Sequence, residues 1–250
     1  MSDRPVALVT GGAKRVGRAT ARALAIAGCD LIITYRLSDR DAESARQEFE
    51  SLGAATRCVR MDLDNLEQAN AAVAAIAQTA PRLDVLVHNA STYHPTPVER
   101  LSARDAESLY RVNALAPLLT TARLATLLGD SPLPGGGAVV AMADIHAFGR
   151  PRKGFAAYSM AKAALIEMVR SLSRDLAPRV RVNAVAPGVV AWPDEGYESD
   201  EDSQKAYLSR VPLDRAGTPD DAAEAVRWLA LDAHYTTGHV LRVDGGRFLA

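Results

Sequence analysis

Cysteine is nearly absent. The 250 residues contain only Cys29 and Cys58, too few for a disulfide framework or a tetrahedral thiolate metal site. Both read as small buried hydrophobes of a reducing compartment. An excess of one charge is lacking too. With 29 basic side chains against 30 acidic ones, the formal net charge is -1, which supplies no overall attraction to nucleic acid. No run approaches the roughly 18 consecutive apolar residues of a membrane span, so no membrane partner is expected. The opening "MSDRPVALVT" enters a strand-like run without the apolar core of a cleavable leader. His88, His94 and His146 are scattered without ligand spacing, and no metal is expected. The expectation left standing is a soluble, cytoplasmic protein.

What is present is alternation. "VALVTG" is a strand followed by a helix from about Arg18 to Ala27, and "GCDLIITYR" is a second strand. A charged amphipathic helix covers about Asp39 to Leu52. "AATRCVRMDL", "LDVLVHNAS" and "GAVVAMAD" continue the strands, with a helix at "LEQANAAVAAIAQTA" and a long one from about Ser102 to Leu128. A helix from about Ala157 to Ala177 leads into "RVRVNAVAPG", and "HVLRVDGG" closes the series. Runs as apolar as Val85-Leu86-Val87 are covered on both faces. The pattern predicts a doubly wound parallel α/β sheet with helices on both faces, a Rossmann fold. Neither a repeat nor a linker interrupts it, so residues 1–250 are read as one domain. A mobile substrate lid is expected at about residues 190–212, around the acid-dense "WPDEGYESDEDSQ".

Ligands of such sheets sit beyond the carboxyl ends of the strands. The glycines of "TGGAKRVG" stand there, between a strand and a helix whose N-terminal N–H groups favour a pyrophosphate. Alone, they fit an ordinary tight turn equally well. In "YSMAK", Tyr158 and Lys162 are four residues apart and share a helical face. An ammonium beside a phenol favours phenolate and makes proton exchange feasible near neutrality. The plain alternative, a packed tyrosine and a solvated lysine, loses weight behind a glycine-fronted α/β chain.

With "MDL", "HNAS", "RVNALAP", "VNAVAPG" and "VDGG" added, the chain resembles the short-chain dehydrogenase/reductase family nearly end to end. The resemblance implies hydride transfer with a nicotinamide cofactor. Tyr158 is then the acid/base, Lys162 lowers its pKa and holds the nicotinamide ribose, and Asn113 supports a relay water. It assigns cofactor contacts to Gly11, Lys14, Arg15, Val16, Tyr35, Arg36, Asp62, Leu63, Asn89, Ala90, Ser91, Tyr158, Lys162, Pro187, Gly188 and Val189. Family members of this kind are usually homotetramers.

The departures from the family pattern point further. Arg15 stands where a glycine is usual, Ser91 replaces another, and the serine expected before the tyrosine gives way to Asp144 in "AMADIHAFG". With "NASTYHPTP", these features resemble the pteridine reductase branch. That branch implies a planar heterocyclic substrate held by Arg15, Ser91, Tyr93, Asp144, Tyr158 and Trp192, with Tyr93 stacking on the ring and Arg15 pairing with cofactor phosphates. Asp144 is then catalytic with Tyr158 and Lys162, its carboxylate opposing phenolate formation and keeping the tyrosine a proton donor. Asp144 lies fourteen residues before Tyr158, one more than in that branch, and an extra residue in "HAFGRPRKG" accounts for it. Strict register would put Ile145 in its place.

At the end of the second strand, "TYR" offers a cation where a reader of the ribose diol needs an acid. Tyr35 and Arg36, with Lys14, Arg15 and Ser38 near, predict NADP(H) over NAD(H); Asp39 reads as the next helix's N-cap. The competing reading is a 3-oxoacyl-acyl-carrier-protein reductase, disfavoured by the missing serine and by the repulsion between an acidic carrier and Asp194 to Asp202. A low-turnover cofactor-binding sensor is disfavoured by the intact Tyr158, Lys162 and Asn113.

Overall fold

Val6–Val9, Val85–His88 and Gly137–Met142 are buried at every position, and a strand buried on both faces belongs at the centre of a sheet covered on each side. These are β1, β4 and β5. With β2 (Asp30–Tyr35), β3 (Thr56–Arg60), β6 (Val180–Pro187) and β7 (Val240–Val243) they form one parallel sheet of order β3-β2-β1-β4-β5-β6-β7. The structure, a computed structural model, describes residues 4–147, 149–192 and 200–250.

The helices are α1 (Arg15–Ile26), α2 (Asp39–Ser51), α3 (Leu66–Thr79), α4 (Ala103–Tyr110), α5 (Ala116–Gly129), α6 (Ala156–Asp175), α7 (Glu201–Leu208) and α8 (Pro219–Leu231). Alternate strand residues point to opposite faces, and two cores result. Leu8, Leu86 and Val139 pack with Ile76 of α3, Leu124 of α5 and Leu165 of α6. Val9, Val87 and Val140 pack with Leu24 of α1, Phe49 of α2 and Leu229 of α8. The sheet is therefore wound on both faces, as the alternation predicted. Its strand order reverses between β1 and β4, and a crevice opens beyond their carboxyl ends.

The expected helix from Ser102 to Leu128 is really α4 and α5 joined by a π turn, Arg111–Leu115. The cause lies in the turn itself: the Asn113 side-chain amide donates to Leu109 O, four residues back, at 3.0 Å, and side-chain competition for that carbonyl disturbs the regular ladder. The run 103–129 contains an 18-residue window apolar enough by composition to cross a membrane, yet half of that window is buried in the protein. Helix α1 begins at Arg15, three residues before the expected start. Of the expected lid, residues 193–199 lie outside the described residues, with them most of the acid-dense stretch; Glu201–Leu208 is α7.

Candidate active site

The turn from β1 into α1 is built from backbone. Gly11 has φ +66°, and a Cβ on Gly17 would lie 2.1 Å from Gly11 O, so only glycine lets the helix start this close to the strand. The Asn89 amide donates to Thr10 O at 2.9 Å and Gly11 O at 3.2 Å, tying the end of β4 to the turn. Helix α1 has no side-chain N-cap bond and no acid in its first turn. Its N–H groups and dipole are thus left for an anion.

Arg15 takes the glycine's conformation without being one: φ is +49°, a left-handed geometry costing about 1 kcal/mol for a residue with a Cβ. Its guanidinium donates to Ala191 O at 3.2 Å and Trp192 O at 2.7 Å, in the segment after β6. The sequence suggested phosphate pairing; here the described contacts clamp the glycine turn to the far wall of the crevice.

Two adjoining clefts occupy the crevice. One of about 570 Å³ runs from Gly11 past Tyr35, Arg36, Asp62 and Leu63 to Ala90. The other, of about 480 Å³, is lined by Asp144, Tyr158, Lys162, Pro187, Gly188, Val189 and Trp192. Arg15, Val16, Asn89, Ser91 and Tyr93 line both. Every sequence-predicted site residue lines one of the two except Asn113, which is buried beneath them. A side pocket of about 200 Å³ gathers Lys14, Tyr35, Arg36 and Ser38. Lys14 pairs with Asp41 at 2.5 Å, holding that carboxyl below its usual range. Ser38, not Asp39, caps α2; the Asp39 carboxylate lies near enough to Tyr35 to raise the phenol's pKa.

At the centre, Tyr158 Oη donates to Asp144 Oδ2 at 3.0 Å. Asp144 Oδ1 accepts from His146 N at 2.7 Å, so the carboxylate is fixed by the short helical turn that follows it. Ile145 is fully buried in the core, and Asp144 is the residue that reaches the tyrosine. Tyr158 is pushed well above its ordinary pKa, first by burial and then by the Asp144 charge, with a Ser91 hydrogen bond opposing. This displacement is opposite to the one Lys162 would give alone. Lys162 Nζ instead donates to Met142 O at 2.7 Å, 5.8 Å from the Tyr158 ring centre. Burial lowers its own pKa to about 8 against the pull of Asp144. Asn113 donates to Thr92 O at 2.9 Å and accepts from Ser91 Oγ at 2.6 Å, positioning the strand-end residues from below.

Sequence reasoning named Tyr93 but missed Phe155, the other half of an aromatic wall. Tyr93 stacks on Phe155 at 4.8 Å and 18°, and meets Tyr158 edge-on at 4.9 Å. Phe155 stands three residues before Tyr158, the spacing of one helical face, and that was its only signal. Tyr207 was missed as well: it meets Trp192 edge-on at 5.6 Å and accepts from Val189 N at 3.1 Å.

A tyrosine, a lysine and a carboxylate beside a phosphate-ready turn define an oxidoreductase of the dinucleotide-binding kind. Comparison with known proteins agrees. A model of the enoyl-(acyl carrier protein) reductase family matches residues 11–247. The chain is 35% identical over 245 residues to the 3-oxoacyl-acyl-carrier-protein reductase of Aquifex aeolicus, covering 97% of each. A putative short-chain alcohol dehydrogenase from Sinorhizobium meliloti 1021 superimposes with a TM-score of 0.91 at 27% identity, over 100% of this chain and 98% of that one. A blue fluorescent protein from a metagenomic library, solved in complex with NADPH, gives 0.88 at 32% identity over 98% of each. The chain belongs to the short-chain dehydrogenase/reductase family and is a short-chain oxidoreductase.

Proposed function

We propose that this oxidoreductase uses NADPH to reduce a C=N bond of a pterin or dihydropterin. The observation that carries the reading is the Tyr158–Asp144 hydrogen bond. Bound NADPH supplies the hydride. Tyr158, kept protonated by burial and by Asp144, gives its proton to the ring nitrogen as the adjacent carbon is reduced, turning C=N into CH–NH. A protonated C=N nitrogen carries positive charge, which a carboxylate at this point stabilises; the oxyanion of a reduced ketone would be repelled by it. Ser91, an exposed hydroxyl that lines the same cleft as Tyr158, is the relay through which the phenol recovers a proton from solvent. Tyr93 offers the face on which a flat heterocycle stacks.

The uncapped α1 terminus and the side pocket with Lys14, Arg36 and Ser38 suit a pyrophosphate and a 2′-phosphate, and the NADPH-bound neighbour supports this choice. Initial rates with NADPH and NADH test it, a preference for NADH being the contrary result. The segment around 190–212 is taken as the substrate lid on its composition, the enzyme as cytoplasmic on its cysteine usage, and its assembly as a homotetramer on family resemblance; size-exclusion chromatography with light scattering tests the assembly.

A second reading has its own support. The weight of the named relatives falls on carbonyl substrates, a 3-oxoacyl thioester above all, and none of those named above mentions a pterin. Purified protein with NADPH, offered a dihydropterin and separately an acetoacetyl thioester, distinguishes the two. Turnover of the dihydropterin is expected; turnover of the thioester alone overturns the pterin reading.

A further inference from the structure

Two loop segments meet in the lining of the substrate cleft. The "TYHPTP" segment supplies Tyr93 and Thr96, and the loop "RPRKGF" supplies Arg152 and Phe155. Thr96 N donates to Gly154 O at 2.6 Å, and Phe155 N to Arg152 O at 3.2 Å, so the loop carrying Arg152 is held from both sides. The guanidinium carbon lies 4.6 Å over the Phe155 ring, and an Arg152 N–H donates to the Tyr93 hydroxyl. Arg152 is half-buried in the lining of the cleft that holds Asp144 and Tyr158.

A guanidinium held over an aromatic ring and bonded to a neighbouring phenol is restrained in position, which favours recognition of a planar oxyanion. Packing alone would be served by an apolar side chain. Asp144, against Tyr158, lines the same cleft. The cleft thus carries both charges, with Tyr93 touching Tyr158 on one side and Arg152 on the other. We infer that Arg152 is a specificity residue, holding an anionic group (phosphate or carboxylate) on the side chain of a substrate whose ring lies against Tyr93 in the cleft that Tyr158 lines. The inference rests on the pterin reading.

The test compares three dihydropterins with NADPH: one with a neutral hydroxylated side chain, the same with a phosphate ester, and dihydrofolate with its carboxylates. Substrates are assayed with wild type, Arg152→Met and Arg152→Lys, with thermal unfolding followed for each. In wild type, raising salt is expected to increase KM for an anionic substrate and not for the neutral one. Arg152→Met is expected to lower the anionic-to-neutral ratio of kcat/KM about 30-fold, Arg152→Lys restoring part of it. Which anionic substrate responds identifies phosphate or carboxylate as the group recognised. An equal loss on all three substrates would make Arg152 a prop for Tyr93 and overturn the subsite. So would a wild-type KM insensitive to salt, which does not depend on any variant folding. Turnover of the neutral dihydropterin in those cases leaves the pterin reading intact; no turnover of any dihydropterin overturns both.

Discussion

Tyr158 donates to Asp144 at 3.0 Å across a separation of fourteen residues, and the phenol's protonation is set by that partner and by burial rather than by Lys162. Asp144→Asn keeps the shape and removes the charge. Its kcat/KM on a dihydropterin is expected to fall about 100-fold, the scale of a proton-transfer contribution. Because the carboxylate raises Tyr158's pKa, the alkaline limb of the pH profile is expected to move to lower pH in the variant. An alkaline limb that stays in place would separate Asp144 from Tyr158.

Lys162 has the opposite linkage. Burial lowers its folded pKa from 10.5 to about 8, so the charged lysine destabilises the fold below about pH 8, and that cost disappears as pH rises to its unfolded value. Lys162→Met is expected to melt higher than wild type at pH 7, by about 3 °C, and to lose this advantage near pH 10, while losing activity. Melting curves at several pH values check it, a lower melting point at pH 7 being the contrary result.

These two expectations show where sequence was sufficient. The doubly wound sheet was legible because strands buried on both faces read as unbroken apolar runs, and Val85-Leu86-Val87 has no other interpretation in an alternating chain. Tyr158 and Lys162 were legible as a pair from helical spacing, and as site residues only with the glycine turn and the other motifs around them. Asp144 was legible in kind, but its register depended on a loop whose length sequence does not convert into position. The direction of the Tyr158 shift was half-legible: the role of Asp144 was foreseen, but the turn of the Lys162 ammonium to Met142 O was not. The π turn stayed hidden because Asn113 makes it through one side-chain bond, and periodicity barely registers one inserted residue. The reach of Arg15 to Ala191 and Trp192 was invisible, since those residues are 176 and 177 positions away.

Gly17 tolerates no side chain. A methyl group there would meet the Gly11 carbonyl at 2.1 Å, and backbone on both sides has no rotamer to escape into. Gly17→Ala is expected to cost about 3 kcal/mol, the upper range of overpacking, read as the change in denaturant midpoint. A midpoint shift equivalent to under about 1 kcal/mol would show that the turn can rearrange.

Arg15 separates strain from contact. Arg15→Gly removes the left-handed penalty and the clamp together, whereas Arg15→Ala keeps the penalty. The glycine variant is expected to be more stable than the alanine variant by about 1 kcal/mol, and both to bind substrate more weakly than wild type. Equal stability of the two would mean that φ +49° is not strained in this turn.

The most direct measurement is the ratio of kcat/KM for a dihydropterin to that for an acetoacetyl thioester, taken with NADPH on wild type and on Asp144→Asn. The account predicts a ratio well above one in wild type that falls at least about 10-fold in the variant, as charge stabilisation of the C=N nitrogen is lost. A ratio below one, or one that Asp144→Asn leaves unchanged, would contradict it and leave a carbonyl reductase in which Asp144 serves another purpose.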